Sequence, residues 1–162
     1  MKERLIDRLM NLEFELGEIR MKVVDAAFVF CLFVFAFMLR IRLLPIESAD
    51  YFGFLEKWMQ TIRDYGGYRS LSMAISNYTS PYMYIMTLLS YLEGNDLYAL
   101  KLVSVFFDYL AAWAVFLILY HMTGKVRKSI FGMAAVLLSP TVIIDSAYWC
   151  QCDIIYSAFL LY

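Results

Sequence analysis

The uncharged run Ala26-Ala27-Phe28-Val29-Phe30-Cys31-Leu32-Phe33-Val34-Phe35-Ala36-Phe37-Met38-Leu39 is bracketed by Asp25 on one side and Arg40 and Arg42 on the other. With its flanks, roughly 23–46, it is long enough to cross a hydrocarbon core as a helix. Arg40 and Arg42 fall where long side chains can snorkel to the interface. Comparable apolar runs occur at about 97–122, at 130–144 with Pro140 near the exit, and at 154–162. Residues of hydrophobic type make up 62% of the chain, against about half in a soluble domain, so the excess reads as lipid-facing surface. The expected fold is all-α, a polytopic transmembrane helical bundle.

The last run is short. About nine apolar residues cover about 14 Å, half of a core roughly 30 Å thick, and a span cannot stop midway with unsatisfied backbone. The expectation is therefore that this is the amino-terminal part of a longer polytopic protein. The loop Gly124-Lys125-Val126-Arg127-Lys128 is purely basic and reads as cytoplasmic, whereas Glu93-Gly94-Asn95-Asp96 carries acids and no bases. The stretch 80–92 is too short to cross unaided and is expected to lie in the outer interface. With the amino terminus inside, Asp50 and Asp153 both fall outside; Arg40 and Arg42 at an outer end run against this orientation.

The outer loop, 47–96, then holds two juxtamembrane helices. The first, Asp50 to Tyr65, carries Phe54, Leu55, Trp58, Met59 and Ile62 on one side, with Ser48 as N-cap and Gly66-Gly67 as stop. The leading segment, 1–22, spaces Leu5, Leu9, Leu12, Leu16 and Ile19 alternately by four and three, which predicts an amphipathic cytoplasmic helix. The expected location is the cell membrane, multi-pass. A net charge of −1 gives no footprint for nucleic acid. Cys150 and Cys152 are too closely spaced for an ordinary bridge, and a metal site there would need more soft ligands than the single His121 offers, so no metal is expected.

Several polar residues carry two readings each. Asp50 is either an acid stabilising a helix N-terminus or a reactive carboxylate. Asp153 and Gln151 either meet water and headgroups at the boundary or hydrogen-bond a ligand. Trp149 is an interfacial anchor or a stacking surface for a ligand. Asp108 lies inside a span, where a carboxylate is costly, and Lys101 shares its helical face seven residues earlier. That pair is either a structural bridge or a phosphate-binding lysine with a supporting acid. Asn77-Tyr78-Thr79 matches a glycosylation sequon and is read as incidental.

Taken in order, Ser48-Ala49-Asp50-Tyr51, Gly66-Gly67, Ser76-Asn77-Tyr78-Thr79-Ser80-Pro81-Tyr82, Lys101 with Asp108, and Ser139-Pro140 followed by Tyr148-Trp149-Cys150-Gln151-Cys152-Asp153 resemble the amino-terminal part of bacterial membrane glycosyltransferases of the GT-C fold. Among these the chain is most similar to enzymes like the GPI mannosyltransferase II family, and more distantly to protein O-mannosyltransferases. The resemblance covers about 23–162, roughly the first third of a complete member. It implies a first outer loop with two juxtamembrane helices and transfer of a hexose, mannose above all, from a polyprenyl-phosphate carrier to an acceptor at the outer face, with no further cofactor. It also implies that Asp50 is the catalytic base, with Gln151, Asp153, Trp149, Asn77, Tyr78, Lys101 and Asp108 contacting substrate or lipid carrier. As the fragment stands, it is expected to be inactive. Cys150 departs from the small residue, often Gly, common at its place in the family. The rival reading is a non-catalytic polytopic protein such as a transporter or lipid-carrier-binding subunit, which would place polar groups at mid-membrane on broken helices.

Overall fold

The computed structural model describes residues 11–162. Leu5 and Leu9 of the expected leading helix lie outside the described residues. The remainder of that segment is not helical. Strands β1 (Glu13–Leu16) and β2 (Ile19–Lys22) form an antiparallel hairpin in which Leu16 pairs with Ile19. Gly17 takes φ +62°, the glycine-first, two-residue turn that suits hairpin twist. Along β2, Ile19 and Met21 are buried while Arg20 is exposed, a period of two that the leucine spacing masked. This corrects the helical expectation for the described part of 1–22 and adds a small β element to an otherwise all-α chain.

Helix α1 (Val23–Ile41) continues directly from β2. Its buried positions Leu32, Ala36 and Arg40 recur every four residues and make one stripe, while Phe28, Phe30, Val34, Phe35 and Met38 remain exposed. After a turn at 42–45, a π-helical segment (Tyr51–Leu55) runs into α2 (Glu56–Asp64), and a 3₁₀ turn (Gly67–Ser72) comes next. Ser48 caps this helix as expected: its Oγ accepts from the Tyr51 amide at 3.1 Å. Gly66 and Gly67 end it at φ +78° and +70°, backbone conformations that favour glycine.

Helix α3 (Ser80–Ser90) is helical over the stretch expected to be interfacial. Helix α4 (Asp96–Thr123) opens at Asn95, whose side chain accepts from the Tyr98 amide, and closes at Gly124 with φ +63°. Helix α5 (Val126–Leu137) returns antiparallel along it, and a Cβ on Gly132 would stand 2.1 Å from Leu119 Cδ1, so the two helices meet closely there. Helix α6 (Pro140–Ile143) passes into a second π-helical segment (Ile144–Trp149), and α7 (Asp153–Leu161) ends the described chain.

Helices α1 and α4 are each long and apolar enough to cross a membrane. The segment 126–137 with 140–149 would make a third crossing, bent by 48°. Two apolar cores sit at opposite ends of α4. Near Asn95, Tyr51, Leu55, Met59, Ile62, Tyr82, Met86, Leu100, Cys150 and Ile155 pack α2, α3 and the start of α7 onto it. Nearer Gly124, Ile19 and Met21 of the hairpin join Leu32, Ala112, Phe116, Met133 and Leu137. The loops beside Asn95 are therefore ordered by a core of their own.

Two charged groups of α4, Lys101 and Asp108, are buried, as is Arg40 at the end of α1. Arg40 does not snorkel: it is wholly buried, donating from Nε to Asp108 Oδ2 at 2.8 Å and from Nη1 to the Ala36 and Leu137 carbonyls at 3.1 and 3.0 Å. Asp108 also accepts from Ser146 Oγ at 2.6 Å. Lys101 does not pair with Asp108 despite the shared face. Its Nζ donates to the carbonyls of Leu43, Leu44 and Ile46 at 3.1, 3.3 and 2.6 Å, satisfying backbone acceptors just beyond α1. The physical reason is proximity: the end of α1 brings a cation to Asp108 and free carbonyls to Lys101.

Candidate functional site

The segment Ser48–Tyr51 and the segment Trp149–Asp153 are about a hundred residues apart and are tied together by side chains. Ser48 Oγ, while capping its helix, donates to the Trp149 carbonyl at 2.8 Å. Ser104 Oγ of α4 donates to the Gln151 carbonyl at 2.7 Å, and the Gln151 amide donates to the Asp145 carbonyl at 3.0 Å. Cys150, between them, is buried and takes φ +65°, the one non-glycine among the described residues in left-handed backbone. That turn gives a physical reason for a glycine at this place: only glycine adopts it without Cβ strain.

These ties aim Gln151 at Asp50. Its Nε2 donates to Asp50 Oδ2 at 2.6 Å, and its Oε1 accepts from the Tyr78 hydroxyl at 2.5 Å. The chain Tyr78–Gln151–Asp50 fixes the orientation of the amide, because a phenol can donate only to the oxygen and a carboxylate can accept only from the nitrogen. Among the described residues, Asp50 Oδ1 accepts no hydrogen bond and Asn77, which is exposed, makes none through its side chain. Asp50, Asn77, Tyr78 and Gln151 line a cleft of about 120 Å³ with Phe54, Leu55 and Trp58. Trp58 stands edge-on to Tyr78 at 5.2 Å between ring centroids and lies 5.8 Å from Phe54.

Burial above all, with the neighbouring acids and thiols adding, pushes the Tyr78 phenol up to about 12. It is therefore a neutral donor at physiological pH, which the chain requires. The Cys150 thiol is pushed up to about 12 and Cys152 to about 11, each chiefly by burial, so neither supplies a thiolate near neutrality.

Of the residues singled out in the sequence, the structure gathers Asp50, Asn77, Tyr78 and Gln151. Trp149 is outside the cleft lining and 40% exposed, and contributes its carbonyl to the Ser48 tie. Asp153 is exposed at the start of α7, outside the lining but near enough to raise the Tyr78 phenol. Lys101 and Asp108 are fully buried away from the cleft. Sequence reasoning missed two links: the Ser104 support for Gln151, and Arg63, which forks from α2 to Asp96 at the head of α4. A base at the end of one helical pattern and an acid at the start of another, with α3 between, were the trace of the second.

The chain matches no family model, no curated protein and no solved structure.

Proposed function

We propose that the protein is a membrane glycosyltransferase that moves a hexose from a polyprenyl-phosphate carrier to an acceptor hydroxyl, with Asp50 as the base. The observation that carries this reading is the cleft in which one oxygen of Asp50 is held by Gln151 while the other is free of protein donors among the described residues. An inverting transfer needs such a carboxylate. The acceptor oxygen attacks the anomeric carbon, its proton passes to Asp50 Oδ1, and the carbon–oxygen bond to phosphate breaks with its electron pair on the departing polyprenyl phosphate. Asn77 has hydrogen-bonding capacity to spare for a sugar hydroxyl, and Trp58 offers an aromatic surface. The order of motifs along the chain, which resembles GT-C enzymes, supports the same reading.

A transporter would use charges buried within the spans, here Arg40 of α1 and Asp108 of α4. Arg40 and Asp108 are sealed from solvent and ion-paired with one another, Arg40 also donating to two carbonyls and Asp108 accepting from Ser146, which favours a structural role for them. The test is transfer itself. The protein expressed from its complete reading frame and reconstituted in liposomes should move radiolabelled hexose from a polyprenyl-phosphate donor to a membrane extract or glycoside acceptor. Donor that stays intact with every acceptor class, while a solute or lipid is translocated, would remove the transferase reading.

A further inference from the structure

A second cavity adjoins the Asp50 cleft, with Tyr78 forming part of both linings. It has a volume of about 220 Å³ and is built from the 3₁₀ turn, the irregular stretch 73–76 and the first turns of α3. Three serines, Ser70, Ser76 and Ser80, line it with Met83 and the well-exposed Tyr84, and none of the lining residues carries a charge. Ser70 is fully buried, and its hydroxyl has no hydrogen-bond partner among the described residues. A buried hydroxyl left unpaired is unfavourable, and a hydroxylated ligand in the cavity beside it would supply the missing partner.

We infer that this cavity is a subsite for an uncharged, hydroxyl-rich ring, the sugar next to the reacting hydroxyl of the acceptor. The lining matches that chemistry: hydroxyls for hydrogen bonds, an aromatic residue for the apolar face of a pyranose, and no cation to attract a phosphate. The volume suits a single ring rather than a drug-sized ligand. Tyr78 then works on both sides, walling the ring subsite and donating to Gln151, so an occupied subsite lies one side chain from the base. The acceptor assignment rests on the transferase reading; the affinity for a neutral sugar does not.

The test is binding of methyl α-mannopyranoside and methyl α-glucopyranoside to the purified protein in detergent, by saturation-transfer NMR, with glucose 1-phosphate as a charged control. The glycosides should bind more tightly than the phosphate. Ser70→Ala should weaken them about three- to tenfold, the loss of one hydrogen bond, without lowering the unfolding midpoint. Ser70→Leu, which fills the cavity, should abolish binding. Failure of the wild-type protein to bind either glycoside, or Ser70→Ala binding as well as wild type, overturns the subsite. Transfer that survives Asp50→Asn while sugar binding still depends on Ser70 removes the base and leaves the subsite standing. Transfer lost in Asp50→Asn without Ser70-dependent binding does the reverse.

Discussion

Replacing Arg40 by Met should cripple the fold, and replacing Asp108 as well should largely restore it. Both side chains are at 0% exposure and 2.8 Å apart. Arg40→Met leaves the Asp108 carboxylate with Ser146 as its one donor and strips the Leu137 carbonyl of its partner. Breaking a buried pair from one side costs about 3–5 kcal/mol, a third or more of the stability of many small domains. Asp108→Leu should cost a similar amount, because a guanidinium then faces only two carbonyls. In the double variant the charge problem disappears and apolar side chains of similar size fill the space, so about 1–2 kcal/mol should remain lost. The assay is a double-mutant cycle on equilibrium unfolding in mixed micelles, with circular dichroism as the readout. A coupling of at least about 3 kcal/mol is expected. Additive losses, with a coupling below about 1 kcal/mol, would overturn the buried-pair assignment, since they would mean that each group meets water or lipid headgroups independently.

Three further outcomes concern the site and its supports. Ser48→Ala removes both the cap on the Tyr51 amide and the tie to Trp149, and should cost about 1–2 kcal/mol in the same unfolding assay. Gly67→Ala places a Cβ 2.1 Å from Tyr91 Oη at φ +70°, so it should cost about 2 kcal/mol or more; in a Tyr91→Ala background about 1 kcal/mol of backbone strain should persist. Tyr78 ionises near 12 in the fold against an ordinary value of 10.0. A folded value above the unfolded one means that its contribution is full below about pH 10 and is lost as the pH climbs through 12. Tyr78→Phe should delete one late phenol from the ultraviolet titration and flatten that part of the stability profile.

The features legible in the sequence were local ones. Ser48 before a helical pattern and Gly66-Gly67 after it marked both ends of the helix between them, because capping depends on neighbours in the chain. The hairpin escaped because Leu12, Leu16 and Ile19 fit a helical seam as well as they fit strands, and the turn at Gly17 decides between them. Arg40 lies on a face shared with Leu32 and Ala36, which the spacing could have shown, but its partner is 68 residues away and is delivered only by packing. The same holds for Gln151, whose contact with Asp50 spans 101 positions. Asp50 and Gln151 were recognisable as polar residues at span boundaries; that the amide grips the carboxylate, and that Tyr78 orients the amide, needed the fold.

Whether Asp50 is the base is decided by the transfer rate of Asp50→Asn, measured with the reconstituted, complete protein at saturating polyprenyl-phosphate hexose. Asn keeps the shape and the contact with Gln151 but cannot take a proton. If Asp50 is the base, the rate should fall about 10²- to 10⁴-fold with an unchanged unfolding midpoint. A rate within about threefold of wild type would contradict that role, because a general base contributes far more than this.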